Sequence, residues 1–345
     1  MSHNKWAIGV YALFIVFLLL LWQFMQTSLA IQSVVEQMES GASAERSGPH
    51  LVLISQELDN PYWRTVERGA RDAASKLGAE IEYIGPYRNN PQEQKKLLEK
   101  VIAAKADGIL TQGMADSEYI GLINRAVAHG IPVVTVDTDA PESARLTYVG
   151  TDNLLSGRLL GEAVIKTAGT GGEIGVIIGS QEATNQRLRL EGFLSVIKDY
   201  PELKVVEVRS SNISRIQAAQ QSEDLLRNYP NLRIMVGTSA LDAIGILQAK
   251  KKSGREGLLI FGFDDLEETQ QAILSGDIQA TVVQKPYLMG YDAVKLMLEH
   301  KQGIALPREH YTETGLLTQG DLSGRDTDEH SPKAFRLYSA DCRAD

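Results

Sequence analysis

The 345-residue chain has a single cysteine, Cys342, so it can form neither an intramolecular disulfide nor a cysteine-rich zinc site. Aromatic residues are scarce at 6%, which makes the place of each one informative. Positive charge is the minority sign: 35 Lys and Arg against 44 Asp and Glu leave a net charge of −9. The densest basic stretch, AKKKSGR over 249–255, continues a helical pattern and reads as a solvated helix end. No nucleic-acid partner is expected from such a charge balance. The six histidines (His3, His50, His129, His300, His310 and His330) include no pair at helical metal-ligand spacing, and there is no H-E-x-x-H. GTGG at 169–172 lacks the lysine and Ser/Thr of a phosphate loop. The acid pair in FGFDD has no matching second acid and lysine to make a phosphoacceptor site. No nucleophile–base pair stands out, so no metal, cofactor or enzymatic activity is expected.

The N-terminus does carry a signal. No charge separates Lys5 from Glu36, and the interval contains WAIGVYALFIVFLLLLWQFM. About 20 mostly apolar residues suffice to cross a hydrocarbon core, and Trp6 and Trp22 bracket the run as interfacial aromatics do. Lys5 would stay on the cytoplasmic side, leaving the remainder outside. A signal peptide cut after Ala30, at Ser28-Leu29-Ala30, is the rival reading, but the run exceeds the usual apolar region of about 7–15 residues. The expectation is a transmembrane helix in the lipid bilayer on the extracytoplasmic face, or a secreted or periplasmic protein beginning at Ile31. Residues 31–49 turn Gly/Ser-rich and read as a linker.

From His50 onward, short β-branched runs alternate with segments of helical period. Ten strands are read: HLVLIS, EIEYIG, GILTQ, PVVTVD, LTYVGT, EIGVIIG, KVVEVRS, RIMVGT, LLIFGFD and ATVVQ. Between them lie helices such as TVERGARDAASKLG, NPQEQKKLLEKVIAAKA, SEYIGLINRAVAHG, SGRLLGEAVIKTAG and RLEGFLSVIKDYP. Gly78, Gly130 and Gly169 read as left-handed helix ends. This alternation predicts an α/β protein of two doubly wound parallel sheets rather than one very wide sheet. No short internal repeat is evident. Residues 323–345 lack periodicity and read as a flexible tail.

Ligands of open parallel sheets bind beyond the carboxyl ends of the strands. Gln56, Asn60, Tyr62 and Trp63 follow the first strand, with the two rings at what reads as an exposed loop-to-helix junction. Met114–Asp116 follow GILTQ. Asp137 ends PVVTVD, Arg187 and Arg189 follow EIGVIIG, and Ser239 and Asp242 follow RIMVGT. Asp264 ends LLIFGFD and Gln284 ends ATVVQ. Rings that cover C–H faces, together with acids, amides and arginine that take hydroxyls, suit a sugar.

These phrases carry a resemblance. NPYWRTVERGARDAASKLG, ADGIL, IPVVTVD, VGTDNLLSGRLLGEAV, RLRLEGF, FGFDD and ATVVQKPYLMGYDAV resemble the periplasmic sugar-binding proteins of the ribose/galactose type, relatives of the ligand-binding cores of lac-repressor-type regulators. The similarity spans about residues 51–322. It implies a ring-stacking platform at Asn60, Tyr62 and Trp63 and ligand contacts at Gln56, Asp137, Arg189, Asp264 and Gln284. The sequence departs from that pattern at Thr138, Ser239-Ala240 and Ile213, where the family often has Arg, Asn-Asp and an aromatic. Structural readings stand beside the ligand readings. The rings could pack on a loop, the acids could cap helices, Arg189 could pair with Glu191 or Glu182, and Gln284 could serve only the hinge.

The resulting expectation has two α/β lobes joined by a hinge: 50–151 with 285–314, and 152–284 with 315–322. The lobes would close on a carbohydrate in the cleft and present the closed surface to a membrane partner. A retained anchor points to signalling through a membrane histidine kinase. Delivery of the sugar to an ABC permease is the alternative. A regulator core and an enzyme acting on a sugar derivative fit less well, since no helix-turn-helix and no catalytic pair is present.

Overall fold

The computed structural model describes residue 15 and residues 17–28, 48–323 and 336–338. The chain divides into two compact units, Met1–Pro49 and His50–Asp345. In the first, helix α1 covers residues 17–28 and exposes its large apolar side chains, Phe17, Leu20, Trp22 and Phe24 among them. Among the described residues, no helix is long and apolar enough to cross a membrane. Most of the apolar run's first half, the cleavage position at Ala30 and most of the linker lie outside the described residues.

All ten strands read from the sequence form, and they sort into two sheets. The first contains β1 (His50–Ile54), β2 (Glu80–Ile84), β3 (Gly108–Thr111), β4 (Val133–Val136), β5 (Thr147–Thr151) and β11 (Glu309–Thr312), in the order β11-β5-β4-β3-β1-β2. Every pair in it is parallel. The second contains β6 (Gly172–Ile178), β7 (Leu203–Ser210), β8 (Leu232–Gly237), β9 (Leu259–Phe263), β10 (Ala280–Val283), β12 (Thr314–Thr318) and β13 (Arg336–Tyr338), in the order β13-β12-β10-β9-β8-β6-β7. Its pairs are parallel except for the two that β12 makes, with β10 and with β13, which are antiparallel. Without β11, β12 and β13, the orders read 5-4-3-1-2 and 10-9-8-6-7, so the two lobes are copies of one topology. Within the stretch read as a tail, Ser323 ends a short helix (Gln319–Ser323), residues 336–338 form edge strand β13, and the remainder lies outside the described residues.

Period-two alternation accounts for the cores. On β1, Leu51 and Leu53 point to one face, with Val66 and Ala70 of α2 (Pro61–Leu77) and Met297 of α10 (Pro286–Lys301). Val52 and Ile54 point to the other, with Leu98 of α3 (Pro91–Ala103) and Ile123 of α4 (Ser117–Ala128). A sheet buried on both faces needs runs that are apolar throughout, as these are. The second sheet is covered likewise. One face takes α5 (Asn153–Ala168) and α6 (Thr184–Ile197); the other takes α7 (Arg215–Asn228), α8 (Asp242–Ser253) and α9 (Glu267–Leu274). Gly78 ends α2 in the left-handed conformation, and Gly130 has φ +79° just past α4. Gly169 differs from expectation: its φ of 75° comes with ψ −163°, outside the left-handed helical region.

Candidate ligand-binding site

The carboxyl ends of both sheets contribute to one cavity of about 650 Å³, counting the part open to solvent. All nine residues singled out from the sequence line it: Gln56, Asn60, Tyr62, Trp63, Asp137, Arg189, Ser239, Asp264 and Gln284.

Helix α2 explains the first-lobe wall. Asn60 is its N-cap, with Oδ1 accepting from the Tyr62 backbone N–H at 2.9 Å, and Pro61 occupies the first turn. The helix therefore starts before Thr65, and both rings ride on its first turn. Trp63 is not exposed as the sequence suggested. It is 2% exposed and packs in the first-lobe core while still lining the cavity. Tyr62 meets it edge-on, with ring centroids 6.1 Å apart. The Tyr62 hydroxyl donates to Asp137 Oδ1 at 2.8 Å. Burial, and then the charges of Asp137 and Asp264, hold the Tyr62 phenol well above its usual pKa, so it remains a donor. Asp137 Oδ2 accepts from Thr138 Oγ1 at 3.1 Å, and that hydroxyl in turn accepts from Gln112 Nε2 at 3.2 Å.

Arg189 anchors the second-lobe wall. It is 2% exposed, so it is not paired with a glutamate on a solvated face. Its Nε donates to Asn153 Oδ1 (2.8 Å), Nη1 to the Thr238 carbonyl (2.9 Å) and Nη2 to Gln284 Oε1 (2.9 Å). The guanidinium lies 3.9 Å from the centroid of the Phe263 ring, a cation–π contact in a desolvated place. Glycine sets the depth of this side chain. A Cβ on Gly157 of α5 would come within 2.0 Å of the Arg189 carbonyl oxygen, so only glycine lets α6 approach this closely. Arg187 is excluded from the wall and donates to the Glu182 carbonyl instead.

Gln284 ties these groups together. Its Oε1 also accepts from Thr151 Oγ1 at 2.7 Å, and its Nε2 donates to Asp264 Oδ1 at 2.6 Å. Thr151 ends β5 and Gln284 follows β10, so this bond joins two strand ends while Gln284 also lines the cavity. Burial pushes the Asp264 carboxyl up to about 7, against the lowering effects of Arg189 and Gln284. Neither strand-end acid caps a helix; the N-caps of α4, α5 and α9 are Asp116, Asp152 and Leu266. Ser239 Oγ is buried with no hydrogen-bond partner in the cavity wall.

Sequence reasoning missed Gln112, Asn185 and Gln186, which add amides to the lining. The last two were hidden because α6 begins at Thr184, five residues before the helix read from the sequence. Ala183, its N-cap, makes no side-chain cap bond that could have signalled the start. Ile213, Leu241 and Leu266 form an aliphatic part of the second-lobe wall. Rings, aliphatics, amides, two carboxylates and one guanidinium suit a small ligand with C–H surface and many hydroxyls.

Residues 51–305 match the periplasmic binding protein domain. Among solved structures, GanP, a glucose-galactose binding protein from Geobacillus stearothermophilus, is 44% identical, with a TM-score of 0.78 over 80% of this chain and 99% of that one. The XylFII–LytSN complex matches at 36% identity and a TM-score of 0.75, over 79% of this chain and 99% of that one. The D-apiose import binding protein of Actinobacillus succinogenes is 25% identical across 71% of this chain and 79% of its own length.

Proposed function

The chain belongs to the periplasmic binding protein family, and from that membership we propose that it captures a sugar outside the cytoplasm by closing its two lobes on it. One observation carries the reading: Tyr62 and Trp63 of the first lobe and Arg189 and Asp264 of the second line the same cavity. Ligand contact with both lobes would favour the closed form, because a conformational shift requires differential affinity for the two states. GanP binds glucose and galactose, and other relatives import apiose and ribose, which supports a monosaccharide. A thermal-shift panel of pentoses and hexoses tests the reading. A true ligand at 100 times its dissociation constant adds about 2.7 kcal/mol of stability. A panel that leaves the melting temperature unmoved rules the reading out.

We place the protein at the outer face of the cytoplasmic membrane, held there by its N-terminal apolar run. The exposed apolar side chains of α1 support this, since a water-soluble helix would carry a polar face. The output we propose is signalling to a membrane histidine kinase, with XylFII's complex with LytSN as support for a protein partner. Delivery to an ABC permease is the second reading, favoured by the likeness to import binding proteins.

A further inference from the structure

Besides Asp264, a second buried carboxylate lies behind the second-lobe wall. Asp242, at the start of α8, is 0% exposed. Its Oδ1 accepts from Ser211 Oγ at 2.6 Å, and its Oδ2 accepts from the backbone N–H groups of Thr238 (3.2 Å) and Ser239 (2.9 Å). Ser211 Oγ accepts in turn from the Ile213 N–H at 3.2 Å, and that N–H also meets the Gly179 carbonyl at 2.9 Å. Ile213 sits at φ +55° directly after Asn212 at φ +49°. The left-handed region is an outlier for a β-branched residue and persists only where surroundings impose it. Here the Asp242–Ser211 pair and Gly179 impose it. The same carboxylate thus fixes two residues of the cavity wall, Ile213 and Ser239.

We propose, on the premise that the cavity binds a sugar, that Asp242 is a positioning residue and Ile213 a specificity-determining one. Together they select pyranoses whose ring hydroxyls are all equatorial. Such a ring shows C–H groups on both faces and hydroxyls only around its edge. One of the two perpendicular rings, Tyr62 or Trp63, suits one face, and Ile213 with Leu241 and Leu266 suits the other. The polar groups Asp137, Arg189, Asp264 and Gln284 are left for the edge. An axial hydroxyl directed at the side chains of Ile213, Leu241 and Leu266 finds neither donor nor acceptor on them, and a buried unpaired hydroxyl is costly.

Calorimetry of the full chain with D-glucose and its singly axial epimers D-mannose, D-allose and D-galactose tests this. D-Glucose should bind at least about tenfold more tightly than the worst epimer. Ile213→Asn, which tolerates the left-handed backbone and offers hydrogen bonds, should reduce that ratio at least about fivefold. Ser211→Ala, which cuts the link to Asp242 and leaves Ile213 in place, should move it the same way. A merely structural role would weaken all four sugars alike. Binding in the wild type with a ratio that neither variant shifts beyond twofold overturns the inference alone. So does tighter wild-type binding of an epimer than of D-glucose, a result that needs no variant to fold. Absence of binding by every sugar overturns the sugar reading itself.

Discussion

Asp137 and Asp264 sit at equivalent places in the two sheets, each one residue past its strand and each at φ +66°. Each amide N–H donates into the neighbouring strand, to the Val149 carbonyl at 3.0 Å and the Val282 carbonyl at 2.7 Å. Left-handed backbone in a non-glycine residue concentrates at ligand sites. The duplicated topology therefore places one such carboxylate on each lobe's share of the cavity wall. Their surroundings differ: Asp137 accepts from two hydroxyls, whereas Asp264 accepts from the Gln284 amide beside Arg189.

Tyr62→Phe keeps the ring and deletes the bond to Asp137. We expect a change in unfolding free energy of about 1 kcal/mol and sugar affinity weakened roughly tenfold, or ~1.4 kcal/mol. Urea denaturation and calorimetry read the two effects separately. Trp63→Ala behaves differently, because that ring is core as well as wall. It should lower stability by about 3–5 kcal/mol.

Arg189 spends its guanidinium on three separate acceptors, Asn153, Thr238 and Gln284. A lysine ammonium is a point charge and cannot reproduce that fork. Arg189→Lys should therefore behave almost as Arg189→Ala does, with sugar affinity reduced at least about 100-fold, or ~2.8 kcal/mol. Retention of affinity by the lysine variant would show that charge alone matters.

The raised Asp264 carboxyl fixes the sign of a pH effect. Between its unfolded value of 3.8 and about 7, the folded protein keeps a proton that the unfolded chain has lost. Asp264 therefore contributes stability at low pH that is lost as pH rises through about 7. Asp242, pushed up to about 6 by burial, adds a slope of the same sign, so the comparison must be wild type against Asp264→Asn. The variant should lose less stability on going from acid to neutral pH. A sugar hydroxyl donating to ionised Asp264 would expel that proton, so affinity should rise through the same window. Calorimetry in two buffers of different ionisation enthalpy would detect the release.

If the apolar N-terminal run is retained, the mature protein stays in membranes after a high-salt wash and its N-terminus lies near Met1. A mature N-terminus at Ile31 would remove the anchor and favour the transport reading.

Much of this was legible because strand ends are. Asp137, Asp264 and Gln284 each follow a short apolar run, and in a parallel sheet such positions meet at one edge. Asn60-Pro61 marks a helix start by the physics of capping. The deep burial of Trp63 was not legible, since it depends on which face of α2's first turn meets Leu53 of β1 and Met289 of α10. Asn185 and Gln186 were hidden by a helix start that lacks a capping side chain. The duplication of the two sheets leaves no short sequence repeat, because topology constrains where apolar runs fall and not which residues fill them. Asp242 looks like an ordinary helix-start acid until the left-handed loop it holds is seen.

A crystal structure of the full chain grown with the tightest binder of the sugar panel tests the central claim most directly. The account predicts one ring in contact with Tyr62 or Trp63 on one side and with Arg189 and Asp264 from the other lobe. A sugar held by one lobe alone, or bound outside this cavity, would contradict it.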